Sequence, residues 1–467
     1  MSNSYQDLYE QQKVHFQNVV KNASIWERKQ KLKSIKKWIK DNQEYVITEL
    51  QKDFKKTREE IMISEIKPVI GEIRDVLHNV RYWARDEFKS APLALLGTRA
   101  KVIKEPKGVT LIIAPWNFPF NLAIGPLVSA IGAGCTVVVK PSEHTPHAEG
   151  VIKKLIEDLF ETKEVACITG GVPETTCLLE LKWDHIFFTG SPMVGSIVMK
   201  AASKHLTSVT LELGGLNPVV IDEKANLNDA AKKLMWGKYL NCGQSCVSPN
   251  YVLVHESMVG KLKEQLVKAY EKKFGTSEYP TDDFARVVNA NHYQRVKSLI
   301  ETSISEGARI IKGAKYKEED NYVAPTIIEG ITTQSTIFKE EIFGPVLPIM
   351  TYNSLDEVIK IINQNEKPLA LYVFTKSNKF ARNIIERTSA GTSVINDTTL
   401  QFVHPNLPFG GVNHSGIGKA HGEYGYREFT NERAILKQRR GVTSAMLIYP
   451  PFNGFKRFVV KVVTWWL

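Results

Sequence analysis

The chain is poor in cysteine: five in 467 residues, at positions 135, 167, 177, 242 and 246. An odd and sparse set is no disulfide framework, and reduced thiols in a cytosolic setting are the simpler expectation. The opening residues, Met1 to Glu10, have no apolar core of a secretory leader. Acidic side chains are missing altogether after Glu432, while Arg433, Lys437, Arg439, Arg440, Lys456, Arg457 and Lys461 put +7 in that tail. The net charge is +11, so the rest of the chain carries only +4 and has no global nucleic-acid footprint. Charge is also absent from Val109 to Val139, but Pro115, Pro119, Pro126, two asparagines and three glycines interrupt that run. A lipid-exposed helix would tolerate them poorly, and a buried strand–loop–helix–strand is expected instead.

What is present is ordinary globular material: 43% apolar and 24% charged residues, enough chain for two to four domains. Residues 5–80 read as helical, with Tyr5, Leu8, Phe16 and Val19, then Leu32, Ile35 and Ile39, at helical spacing. Strand patterns at 109–114, 136–140, 166–169, 185–189 and 208–213 alternate with helical ones such as 148–160. That alternation predicts a parallel sheet covered on both faces, with ligands beyond the C-terminal strand ends. A second α/β stretch runs from about 214 to 395, with strands at 219–221, 251–254 and 369–375 and helices at 259–274, 293–305 and 355–363.

The unusual loops fall at those strand ends. In Ala114-Pro-Trp-Asn-Phe-Pro119 two prolines pin Asn117, whose amide either donates to a developing oxyanion or satisfies the local turn. Lys140-Pro-Ser-Glu143 is either a ribose or phosphate contact or a plain strand-ending turn. In Phe188-Thr-Gly-Ser-Pro-Met-Val-Gly195, Ser191 suits a helix N-cap and Pro192 the first helical position. Such a terminus binds anions or merely caps a helix. The G-x-G-x-x-G dinucleotide fingerprint is absent. Glu212, between two leucines, is a general base, a buried cost or a solvent-facing strand residue. Cys246 lies in a Gly/Gln/Ser loop where a backbone N–H and a partial helix dipole would favour thiolate, or it is an inert core cysteine. If residues 242–246 are helical, Cys242 and Cys246 share a face, but C-x3-C without suitably spaced histidines is no metal site. Glu340–Pro345 and Leu407–Gly416 read as turns around a packed aromatic.

In order, P-W-N-F-P, K-P-S-E, F-T-G-S-x-x-V-G, L-E-L-G-G, G-Q-S-C, E-E-I-F-G-P and P-F-G-G-V resemble the aldehyde dehydrogenase superfamily from about Val109 to Glu432. The short N-terminal lead, Asn396-Asp-Thr and Tyr449-Pro-Pro are most similar to its class 3 and fatty aldehyde branch. The resemblance implies an α/β fold with a dinucleotide-binding parallel-sheet domain, a second α/β catalytic domain and a small β oligomerisation element. The implied boundaries are 1–84 with 104–212, then 213–394, then 85–103 with 395–446, and a basic aromatic tail at 447–467.

It further implies NAD(P)-dependent oxidation of medium- to long-chain aliphatic or aromatic aldehydes to acids. Cys246 is the implied nucleophile, Glu212 the general base and Asn117 the oxyanion donor. Lys140 and Glu143 are implied to hold the adenosine ribose, and Gly190 and Ser191 the pyrophosphate. Glu341 and Phe343 are implied to contact the nicotinamide ribose and ring, with Trp116 and Gly195 completing the cofactor set. NAD or NADP is expected: Glu143 opposes a 2′-phosphate, yet the branch accepts both. No metal is implied. A coenzyme A-dependent variant and a silent membrane-associated scaffold are the competing functions, against which Glu212 and the intact Cys246, Glu212 and Asn117 set argue. The implied partners are a small aldehyde and a second copy in a homodimer. Basic residues interleaved with Phe, Val and Trp from Phe455 to Leu467 suit contact with anionic lipid, in a segment too short to span a bilayer. The expected compartment is cytoplasmic, with peripheral contact at the inner membrane surface through that tail.

Overall fold

The protein is described by a computed structural model covering residues 2–466, except 93, 94, 96, 278, 280–282, 442, 445, 447 and 448. The predicted N-terminal helical layer forms as Ser2–Asn18, Ile25–Asp41, Gln43–Phe54 and Lys67–Trp83. Ser24 and Glu27 start the second helix with a reciprocal capping box. Before the last helix the chain passes through a short helix, Arg58–Ile61, and a π-helical turn, Met62–Ile66.

All five strands expected between 109 and 213 join one sheet, in the order Gly416–Ile417, Ser208–Leu213, His185–Gly190, Val109–Ile113, Thr136–Lys140, Val165–Cys167. Its pairings are parallel except for the short first strand. Alternate side chains enter different cores, as the period of two requires. Ile112, Val137, Val139 and Phe187 pack under the helices of residues 25–83, and Leu111, Ile113, Val138, Ile186 and Phe188 pack on the opposite face. The uncharged run resolves as predicted into strand, loop, the helix Pro119–Ala133 and strand, almost entirely buried.

The second α/β stretch builds a seven-stranded sheet in the order Arg309–Lys312, Thr326–Glu329, Val346–Tyr352, Tyr251–His255, Pro218–Ile221, Ala370–Phe374, Thr392–Ile395. Four of these strands, at 309–312, 326–329, 346–352 and 392–395, were not anticipated. The first and last have half their residues exposed and lack a continuous apolar run. Three antiparallel strands, Glu87–Lys89, Arg99–Pro106 and Thr430–Lys437, form a separate small sheet.

Residues 242–246 are not helical. Asn241 and Cys242 both take positive φ (53° and 56°), which breaks the turn Leu240–Gly243, so the helix-face pairing of Cys242 with Cys246 does not arise. The tail is a helix, Gly454–Trp466; Leu447, Ile448 and Leu467 lie outside the described residues. Among the described residues no helix is long and apolar enough to cross a membrane.

Candidate active site

Because the first sheet is parallel, the C-terminal ends of its strands lie on one side. Pro115–Phe118, Lys140, Gly190 and Glu212 all sit there. The second sheet faces them with the loop 244–250, which leads into the strand Tyr251–His255. Cys246 is thereby brought to the junction of three cavities, while remaining only partly exposed itself.

One cavity, of about 240 Å³, is lined by Trp116, Asn117, Gly190, Ser191, Glu212, Cys246, Glu341 and Phe343. Eight of the eleven residues singled out from sequence therefore share one space. Lys140 and Glu143 lie together at the next strand end, with Lys140 Nζ 3.4 Å from Glu143 Oε2 and 2.7 Å from the Pro141 carbonyl. Gly195 is not part of this cavity's lining; a Cβ there would come within 2.8 Å of Leu213 Cδ2, so it allows the helix Pro192–Ser203 to lie against the sheet.

The Cys246 loop is held from beneath. Asn217 Nδ2 donates to the carbonyls of Cys246 (2.7 Å) and Ser248 (3.0 Å). Lys238, buried, donates to the Pro249 carbonyl at 2.9 Å, and burial lowers its ammonium to about 7. Asn117 Nδ2 donates to the Gln244 carbonyl at 3.1 Å, two residues before the thiol. The expected thiolate does not follow: burial, then the carboxyls of Glu341 and Glu212, push the Cys246 thiol up to about 12. The loop has no helix N-terminus to oppose this, and the backbone N–H groups of Cys246 and Val247 offset only part of it.

Glu212 is 6% exposed and neither carboxyl oxygen has a hydrogen-bond partner. Burial raises its pKa well above the usual carboxylate range; Lys419 pulls it down and Glu428 adds to the rise. Gly410 makes room for it, since a Cβ there would stand 2.9 Å from Glu212 Oε1. Phe409 packs edge-on to Phe402, the packed aromatic expected in that segment. Glu341 accepts from the Gly215 N–H at 3.3 Å, and burial raises it to about 7.

Two further residues line this cavity that the sequence does not single out. His292 and Arg295, on the helix Ala290–Ser305, face Trp116 and Phe343 across the same space. Arg295 donates to the Ile342 carbonyl at 2.6 Å, and the Trp116 ring lies tilted 4.9 Å from His292 and edge-on 5.3 Å from Phe343, centre to centre. No local motif marks them, because they reach the site from a helix some 150 residues beyond the first loops. Ser191 caps its helix, as expected, through Oγ to the Val194 N–H at 3.4 Å.

The arrangement suits a dinucleotide. A Cβ on Gly190 would stand 2.4 Å from the Phe188 ring and one on Gly214 2.2 Å from Glu341 Oε1, so bare backbone lets both side chains close in at these positions. Gly190 itself lines the cavity at the N-terminus of the helix Pro192–Ser203, with Arg295 on the same lining. On the other side of Cys246 a channel of about 350 Å³ runs outward between Ile63, Leu122, Trp236, Leu240, Leu400 and Val403.

Comparison with known proteins agrees with this geometry. The aldehyde dehydrogenase family model matches residues 5–435. The chain is 40% identical to Staphylococcus aureus 4,4'-diaponeurosporen-aldehyde dehydrogenase over 444 residues, covering 95% of this chain and 96% of that one. It is 39% identical to a mouse dimeric NADP-preferring aldehyde dehydrogenase over 425 residues, covering 91% and 93%. A solved substrate-bound Staphylococcus aureus AldH superposes with a TM-score of 0.93 at 38% identity, covering 98% and 99%. The chain belongs to the aldehyde dehydrogenase family, with class 3 members among its relatives, and is an enzyme that oxidises aldehydes with NAD or NADP.

Proposed function

We propose that the enzyme oxidises medium- to long-chain aliphatic or aromatic aldehydes to carboxylic acids through a covalent Cys246 intermediate. The observation that carries this reading is the position of the thiol, shared by the apolar channel and the polar cavity that holds Glu212 and Asn117. An aldehyde enters along the channel with its chain between Leu122, Trp236 and Leu400. Sγ bonds to the carbonyl carbon as the thiol proton passes to solvent, and the carbonyl oxygen becomes the oxyanion of a thiohemiacetal. The free N–H of the Asn117 amide and the Cys246 backbone N–H stabilise that oxygen, each worth about 3 kcal/mol at comparable sites. Nicotinamide, when bound, would supply the acceptor for the hydride on the tetrahedral carbon. The thioester that remains is hydrolysed by a water that loses its proton to Glu212; the C–S bond breaks, the acid leaves and the thiol is restored. A carboxyl whose hold on a proton burial has strengthened suits that base.

Gly190 and Ser191 at the helix N-terminus would hold the pyrophosphate, aided by Arg295. Lys140 and Glu143 would hold the adenosine ribose; Glu341, Phe343 and Trp116 would hold the nicotinamide riboside. Val172 and Ile197, exposed on two neighbouring helices, offer apolar surface for the adenine. Residues 1–84 and 104–212 are accordingly assigned to cofactor binding, 213–394 to catalysis, and 85–103 with 395–446 to a bridge. Open strand edges at Thr392–Ile395 and Thr430–Lys437 support a homodimer. The name of the Staphylococcus aureus relative, which acts on a diaponeurosporen aldehyde, favours an apolar substrate here as well.

The test follows NADH absorbance with decanal and NAD, with and without coenzyme A. Turnover without coenzyme A is expected. Glu212→Gln is expected to give one burst of NADH per site and then stall at the acyl-enzyme. An undiminished steady-state rate in that variant would remove Glu212 from the role.

A further inference from the structure

We propose that the buried ion pair Lys56–Glu65, together with Asn241, is a positioning device for the Asn117 peptide and hence for the oxyanion site. The inference rests on the role given to Asn117 above. Lys56 and Glu65 have fully buried side chains, with Nζ 2.9 Å from Oε1. Both come from the N-terminal helical layer, far in sequence from every motif of the site. Lys56 Nζ also donates to the Asn117 carbonyl at 3.2 Å. Its ammonium lies 4.4 Å from the centre of the Phe54 ring and 4.7 Å from that of Phe118, so the loop residue after Asn117 closes over it.

Glu65 belongs to the π-helical turn Met62–Ile66. Its second oxygen accepts from the Asn121 N–H at 3.0 Å, and the adjacent Ser64 carbonyl accepts from Asn121 Nδ2 at 3.0 Å. The turn thus holds the first turn of the helix Pro119–Ala133 by both backbone and side chain. Such π turns, which cost helix regularity, recur at functional sites. From the other side Asn241 Nδ2 donates to the same Asn117 carbonyl at 2.7 Å, and the Asn241 N–H donates to Glu60 Oε1 at 2.6 Å.

The Asn117 carbonyl is therefore held by a lysine and an amide, while its side chain is tied to Gln244 beside the thiol. A buried ion pair gives little net stability over apolar residues of the same volume, because desolvation offsets the attraction. Here its atoms meet the one peptide whose orientation aims the amide. An error of an ångström in that aim is enough to cost a large part of the rate.

The test uses Lys56→Met/Glu65→Gln, which removes both charges together, and Asn241→Asp, which keeps an αL-tolerant residue but removes the donor. Each is combined with Asn117→Ala in the full-length enzyme, and the first-turnover rate of NADH formation is measured with butanal. Either change is expected to slow that step about tenfold or more, with NADH affinity and aldehyde KM within about twofold. In the Asn117→Ala background the further loss should be under about twofold, because the residue they aim is gone. A rate within about twofold of wild type in both variants, or losses that multiply with Asn117→Ala, overturns the inference. A normal first turnover in Asn117→Ala alone instead overturns the oxyanion role itself.

Discussion

Chain length of the aldehyde is the perturbation that reads the channel beside Cys246 most directly. The channel encloses about 350 Å³, and a water-sized group fills about 30 Å³. It therefore takes roughly ten methylene-sized groups before the chain reaches the mouth at Leu400 and Val403. Each methylene moved from water into apolar surroundings contributes about 0.8 kcal/mol, or roughly a fourfold gain in kcat/KM. Steady-state kinetics across the series from propanal to dodecanal, with NAD saturating, should show that gain at each added carbon and a plateau near decanal. Val403→Trp, at the exposed outer end, should move the plateau to shorter chains and leave propanal unaffected. A flat series, or a fall between butanal and octanal, would refute the assignment of the channel to the substrate chain.

Cys246→Ala should abolish turnover while NADH still binds with unchanged affinity by fluorescence titration; loss of both would mean that the thiol supports the fold rather than the reaction. Glu341 is raised from 4.5 to about 7 by burial. The folded state therefore keeps a proton that the unfolded chain releases, and stability falls as pH rises through that window by on the order of 3 kcal/mol. Glu341→Gln should accordingly raise the melting temperature of the cofactor-free enzyme near pH 8 and do little near pH 4.5; an equal effect at both would refute the burial argument. On the C-terminal helix, Phe455, Phe458, Val462 and Trp465 form an exposed stripe with Lys456, Arg457 and Lys461 among them. Deleting residues 453–467 should reduce co-sedimentation with anionic liposomes, and unchanged binding would end the membrane reading of the tail.

The local rules were legible wherever one element carried its own signal. Alternating apolar strands ending in Gly, Pro or Thr predicted the parallel sheet, and Ser191-Pro192 predicted a helix start at the residue where it occurs. Exposed edge strands such as Thr392–Ile395 escaped, because half their residues face water and the pattern fades.

The chain's own order of residues determined which groups stand at strand ends, since a parallel sheet sends every C-terminal loop to one side whatever the rest of the fold does. That made Asn117 and Glu212 candidates beside plainer structural readings; the family resemblance assigned their roles and that of Cys246, whose loop leads into a strand rather than out of one. Only tertiary structure decided their electrostatics and their company. The thiol is raised rather than lowered, because burial beside two carboxyls outweighs two backbone N–H groups. His292 and Arg295 reach the cavity from a helix far along the chain, and Lys56 and Glu65 meet the Asn117 loop from a turn and a π-helical segment near the N-terminus; spacing carries no information about such distant meetings.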